Sequence, residues 1–107
     1  MRRGEIWLVA GGVYSSKPRP ALIVQDDRFE TDSVTVCPFT TTDVDAPLLR
    51  LPVPADVTSG ISQSSFLMID KLTTVRRSNV GERVGTLTPA QLTEFERRVL
   101  VFLGFAG

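Results

Sequence analysis

Lys17-Pro18-Arg19-Pro20-Ala21-Leu22-Ile23-Val24-Gln25-Asp26-Asp27 is the stretch on which the fold of this 107-residue chain turns. Each proline fixes φ, lacks an N–H and pushes its predecessor out of the helical region. Lys17 and Arg19 therefore sit on a stiff, extended entrance to a strand. Ala21 to Val24 is short, apolar and partly β-branched, the pattern of a strand buried on both faces. An arginine at the mouth of such a strand has a rigid support and keeps its charge at neutral pH. That suits a site that holds a phosphate, although a surface arginine displayed by a turn has the same sequence.

Outward from this strand, Glu5 to Val9 predicts a first strand, and Ala10 to Ser16 a flexible loop containing Gly11 and Gly12. Ser33 to Phe39 alternates and then turns apolar, giving a third strand that ends near Pro38, with Thr40-Thr41-Thr42-Asp43 as a loop. Leu48 to Val53 reads as an edge strand because of its prolines, and Pro54 to Gln63 as a long polar loop. Ser65 to Ile69 is a fifth strand ending at Asp70-Lys71. Leu72 to Val75 continues it after a bend, and Arg83 to Thr86 is a short last strand. Thr88-Pro89-Ala90-Gln91 supplies a helix start: an N-cap threonine, a first-turn proline and a glutamine three residues after the cap. Leu92, Phe95, Val99, Phe102 and Leu103 then recur on one helical face, and Gly104 is a stop. The expected fold is mainly β (α+β): a small, twisted antiparallel barrel closed by a C-terminal helix, with residues 1–107 as one domain.

Composition narrows the chemistry. Histidine is absent and Cys37 is the one cysteine, which excludes an internal disulfide, a Cys/His metal cluster and a Ser-His or Cys-His nucleophile. No stretch approaches about 20 apolar residues, so no membrane span is expected. Met1-Arg2-Arg3 resembles a signal-peptide start, but Gly4-Glu5 follows where an apolar region belongs, and the expected location is cytoplasmic. Net charge is zero but unevenly spread. Residues 1–25 carry four basic and one acidic side chain, residues 26–56 two basic and seven acidic, and residues 71–83 four basic and one acidic. If the fold gathers the two basic segments, they form an anion groove on a neutral protein. Charges scattered over solvated faces are the alternative.

Three polar features terminate strands: Arg19, Thr40 and Asp70-Lys71. Such a set can cleave RNA without a metal or cofactor, because RNA brings its own nucleophile, the ribose 2′-OH. The protein must then supply a base, an acid, and donors for the charged phosphorus transition state. By spacing alone, Thr40 reads equally as a turn cap and Asp70 as a partner of Lys71 or an arginine.

The order of four blocks resembles the MazF/PemK-type toxins of toxin–antitoxin modules. The blocks are Arg3-Gly4-Glu5-Ile6-Trp7, Arg19-Pro20-Ala21-Leu22-Ile23-Val24, Val36-Cys37-Pro38-Phe39-Thr40 and Ser65 to Val75. The resemblance spans nearly the full chain. It implies an SH3-like barrel, a homodimer, and metal-independent cleavage of single-stranded RNA at short motifs, leaving 2′,3′-cyclic phosphate and 5′-hydroxyl ends. It further implies a cognate antitoxin whose acidic segment fills the RNA groove. Arg19 matches the catalytic arginine, which stabilises the phosphorane-like transition state and protonates the leaving oxygen. Thr40 matches the catalytic threonine, bonded to a phosphate oxygen, and Asp70 a carboxylate proposed as general base. Lys17, Lys71, Thr41 and Arg76 are the candidate RNA-binding residues. The Ala10–Ser16 loop is expected to shape the RNA channel, and the Thr40–Ala46 loop to help choose bases.

Departures from the family pattern bear on the proton transfers. Lys71 replaces a glutamine common in the family, trading amide reading for charge on a phosphate. Met68 stands where PemK-like members have an arginine, and the first-loop histidine of some members is absent. A CcdB-like gyrase poison shares the fold and acts through its last residues, here Leu103-Gly104-Phe105-Ala106-Gly107, and is the alternative reading. A catalytically inactive RNA- or antitoxin-binding module is another. The acidic middle segment is expected away from RNA, with Asp43 and Asp45 outside the groove.

Overall fold

The computed structural model describes residues 1–11 and 14–107. The middle of the expected first loop, residues 12 and 13, lies outside the described residues. β1 (Glu5–Gly11) pairs antiparallel with β2 (Ser15–Ile23), and β2 with β3 (Ser33–Thr40). β4 (Arg50–Val53) pairs with β5 (Ser65–Met68), β6 (Thr73–Arg76) with β3, and β7 (Val80–Thr86) with β1. The strand order is β4-β5-β3-β2-β1-β7, with β6 also on β3. β3 makes the corner: Ser33 to Val36 pair with β6, whereas Phe39 and Thr40 pair with β5. The result is the expected mostly antiparallel β fold with one C-terminal helix.

The apolar run of β2 is buried on both sides. Leu22 joins Ile6, Cys37, Leu51, Leu67, Ile69 and Phe95 in one cluster, and its neighbours Ala21 and Ile23 join Val9, Val34, Val36 and Val75 in another. Helix α1 (Pro89–Phe102) covers the first cluster with Phe95. Its start is the predicted capping box, with the Thr88 hydroxyl accepting from the Gln91 N–H and the Gln91 side chain accepting from the Thr88 N–H. The chain leaves the helix at Gly104, whose φ of +81° suits glycine.

β1 runs on to Gly11 and β3 to Thr40, and four further boundaries differ from expectation. β2 begins at Ser15, so the proline motif lies inside the strand; its prolines are tolerated because β3 does not pair with that half. Residues 48 and 49 belong to a 3₁₀ turn (Pro47–Leu49), which Pro47 starts by fixing φ. Ile69–Lys71 is another such turn, so β5 ends at Met68 and β6 is a separate strand. β7 extends back to Val80 by pairing with Val9.

The ladder's two end strands, β4 and β7, are joined through the 54–64 loop. The Thr86 N–H donates to the Thr58 carbonyl (3.0 Å), and Gly60 sits against the backbone of Val84. The loop is braced internally: the Ser59 hydroxyl donates to the Pro54 carbonyl (2.7 Å), and the Ser59 N–H to the Asp56 carboxylate (2.8 Å). A segment expected only as polar loop thus closes the sheet by backbone-to-backbone contact.

Candidate active site

Ala21 faces Pro38, Leu22 faces Cys37 and Ile23 faces Val36, and there the β2–β3 ladder ends. Continued in the same register, it would set Arg19 directly opposite Thr40. It does not continue: Pro18, Pro20 and Pro38 have no N–H to donate, and β3 turns its last residues to β5. The strands splay, leaving Arg19 and Thr40 on the walls of a cavity of about 390 Å³ with Thr41, Ile61, Ser62 and Gln63. A second cavity of about 390 Å³ lies beside it, lined by Tyr14, Ser15, Met68 and Thr73. Arg19 and Phe39 line both, and so stand between them.

Arg19 is exposed, and among the described residues its side chain is in none of the ion pairs. Its charge is therefore available to a ligand. Thr40 is half-buried and its hydroxyl oxygen accepts from the Thr42 N–H (3.1 Å). That bond fixes the oxygen and leaves the hydroxyl proton to be donated into the cavity. The Tyr14 hydroxyl donates to the Pro20 carbonyl (3.0 Å), and burial holds its phenol above the ordinary range, so it remains a donor bracing the splayed strand. Cys37, behind the groove, donates to the Met68 carbonyl (3.3 Å), and burial pushes its thiol up to about 12, so it is no nucleophile at neutral pH.

The other candidate residues separate. Lys17 is exposed two residues before Arg19, on the same face of β2, and Thr41 lines the first cavity. Lys71 is exposed at the turn leading to Thr73 of the second cavity. Asp70 lines neither cavity; its carboxylate is ion-paired with Arg50 at 2.5 Å. Arg76 is opposite Ser33, at the far end of β3 from Thr40, roughly 23 Å away at about 3.3 Å per residue. The basic segments are not pooled as a block. Arg3 pairs with Glu96 and Arg83 with Glu5, while Arg77 donates to the Thr31 carbonyl in the acidic loop. Of the basic side chains of these segments, Arg19 lines both cavities, with Lys17 exposed two residues before it.

The acidic segment is kept away from it. Asp26, Asp27, Glu30 and Asp32 surround a cavity beyond the opposite end of β2, and Asp43 and Asp45 face a cavity with Arg50, Phe66 and Arg98. The sequence reading did not single out Phe39, Ile61, Ser62 and Gln63, while Tyr14 comes from the Ala10–Ser16 loop it expected to shape the channel. The polar run Ser62-Gln63-Ser64-Ser65 was a signal, but only the packing of the 54–64 loop shows which way it faces.

The chain has known relatives. It is 55% identical over 109 residues to the probable endoribonuclease MazF of Mycolicibacterium smegmatis, covering 100% of both chains. It superposes on the Mycobacterium tuberculosis toxin MazF-mt6 with a TM-score of 0.79 at 26% identity, over 94% of this chain and 96% of that one. A mycobacterial endoribonuclease solved with its cognate antitoxin gives 0.80 at 21% identity, over 100% and 98% of the two chains, and shares the fold. A family model for the PemK-like, MazF-like toxins of type II toxin–antitoxin systems matches residues 2–103, and with that match and a full-length relative at 55% identity, this chain belongs to that family.

Proposed function

We propose that the chain is the toxin of a type II toxin–antitoxin module and a metal-independent, sequence-specific endoribonuclease acting in the cytoplasm on single-stranded RNA. The observation that supports this most is the open ladder, which brings a guanidinium in none of the described residues' ion pairs and a hydroxyl with a free proton to one cavity. The ribose 2′-hydroxyl gives its proton to solvent water as its oxygen attacks phosphorus, the bond to the 5′-oxygen breaks as that oxygen takes a proton from water, and the products carry a 2′,3′-cyclic phosphate and a 5′-hydroxyl. Arg19 neutralises charge on the phosphorane oxygens and the departing 5′-oxygen, working through a charge it keeps. Thr40 donates to a non-bridging oxygen. Lys17 and Lys71 hold flanking phosphates, and Thr41 contacts the nucleotide beside Thr40.

Relatives are seen with antitoxins, as in MazE–MazF of Deinococcus radiodurans. A cognate antitoxin covers the same groove here. Residues 1–107 act as one toxin domain, and a second copy covers the exposed Leu100, Phe102, Leu103 and Phe105 at the end of α1. Long single-stranded RNA incubated with the protein in EDTA is expected to be cut at a recurring short motif, with 5′-hydroxyl ends. Intact RNA across many sequences would refute the reading.

Asp70 acts here as a positioning residue. Burial raises its carboxyl, but the Arg50 hydrogen bond and charge outweigh this and hold it below the ordinary range. The pair ties β4 to the turn that carries Lys71 and leads to Thr73. A carboxylate held by a cation is a weak base. Asp70→Asn is therefore expected to keep activity within about tenfold, with an unshifted pH–rate profile, whereas losing a general base costs about 10²–10⁴-fold. Because the folded carboxyl is depressed, the pair's stabilisation is present above the ordinary carboxyl range and is lost as pH falls through the folded value. The melting-temperature gap between wild type and Asp70→Asn should be widest near neutrality and close in acid.

A further inference from the structure

We infer that Gln63, supported by Ser62, reads the identity of the base next to the cleaved bond, while the cavity across Arg19 and Phe39 holds the neighbouring nucleotide without reading it. This rests on the ribonuclease reading above and assigns base choice to the 61–63 segment.

The two cavities differ in their linings. If Arg19 takes the scissile phosphate, the nucleotides on either side fall into the cavities it separates. The cavity on the Thr40 side presents a primary amide and hydroxyls: Gln63, Ser62 and Thr41. The other is lined by Pro38, Phe39 and Met68 with the hydroxyls of Ser15 and Thr73; its Tyr14 hydroxyl is already committed to the Pro20 carbonyl, and it holds no amide to pair with a base edge. An amide offers a donor and an acceptor in one plane, the arrangement that pairs with a base edge, and exposed edges are what single-stranded RNA presents.

The amide is also available and well supported. Gln63 and Ser62 are exposed, and the bond at Gln63 is to its backbone: its carbonyl accepts from the Ser65 hydroxyl (2.8 Å). The Ser64 hydroxyl accepts from the Ala55 N–H (3.0 Å), and the Thr58 carbonyl, accepting from the Thr86 N–H, fastens the loop to β7 with Ser59 and Gly60 packed against that strand. A reader on a braced loop loses little freedom on binding, so a correct base gains more over a wrong one. The Thr42 N–H, by contrast, is already committed to Thr40.

The test maps 5′ ends produced from a random-sequence single-stranded RNA pool by wild type, Gln63→Ala, Gln63→Glu, Ser62→Ala and Met68→Ala. Gln63→Ala is expected to lose preference at one position flanking the cut by about tenfold, the rest of the motif being kept. Gln63→Glu should shift that position towards a base presenting an amino group, and Ser62→Ala should relax it more weakly. Met68→Ala should slow all sites together with the motif intact. Gln63 variants that keep the full wild-type motif, or slow every site evenly, would overturn the assignment. Equal relaxation by Met68→Ala would overturn the asymmetry. An RNA pool left uncut by wild type would remove the ribonuclease reading itself, and the assignment with it.

Discussion

Arg19→Ala is expected to slow RNA cleavage about a thousandfold or more, with the melting temperature unchanged within about 3 °C. The two halves of this result have separate physical origins. Arg19 is exposed and stands in none of the ion pairs among the described residues, so the folded state loses little when its side chain is cut back. Its backbone place opposite Val9 is kept by alanine. In the reaction, the guanidinium faces a phosphorus centre whose charge grows on the way to the transition state. The loss should therefore fall mainly on kcat, with a smaller rise in KM. Arg19→Lys restores the charge without the planar fork and should recover only part of the rate. Single-turnover cleavage of one motif-bearing RNA, beside thermal unfolding, checks both halves. A rate within tenfold of wild type in Arg19→Ala would remove Arg19 from the phosphate.

This pairing of a silent fold change with a large rate change follows from where the site was built. The sequence announces the apolar run of β2, the capping box at Thr88 and the Gly104 stop because each is local, written within a few residues. It also brings Arg19 and Thr40 forward as strand-end residues. What it does not contain is the register between β2 and β3, and register is what turns two strand-end residues into two walls of one cavity. The prolines hint at it, since each removes one ladder donor, but a proline cannot name its missing partner. Asp70 shows the same limit. Nothing local distinguishes a free carboxylate from one paired with Arg50, twenty residues earlier, and the two have different chemistry. Arg76 belongs to a basic segment in the sequence yet stands beside the acidic end of the sheet, because β6 pairs with the far half of β3.

The least legible feature of all, the loop seal between β4 and β7, carries the second large effect. Gly85→Ala is expected to destabilise the protein by about 3 kcal/mol or more, while Gly81→Ala in the same strand stays near neutral. The comparison isolates one cause. Both glycines lie in β7, and neither has a positive φ, so β-propensity changes alike at the two sites. A Cβ at Gly81 would meet only the Leu8 carbonyl oxygen, at an ordinary 3.5 Å. At Gly85 it would collide with the Ser59 carbonyl and stand 2.5 Å from the Thr58 oxygen. Those atoms are backbone, fixed by the Thr86–Thr58 hydrogen bond and by the bonds of buried Ser59, so no side chain can rotate to make room. The loop must lift from the strand, and Ile61, Ser62 and Gln63 lift with it. Gly85→Ala should thus lower the melting temperature by more than about 10 °C and, below that temperature, weaken cleavage and blur the motif together. Gly60→Ala tests the same seam from the other side, since Gly60 has φ +69° and its Cβ would strike the Val84 carbonyl. If Gly85→Ala unfolds like wild type, the seal bears no load, and the rigidity assigned to the 61–63 wall has no support.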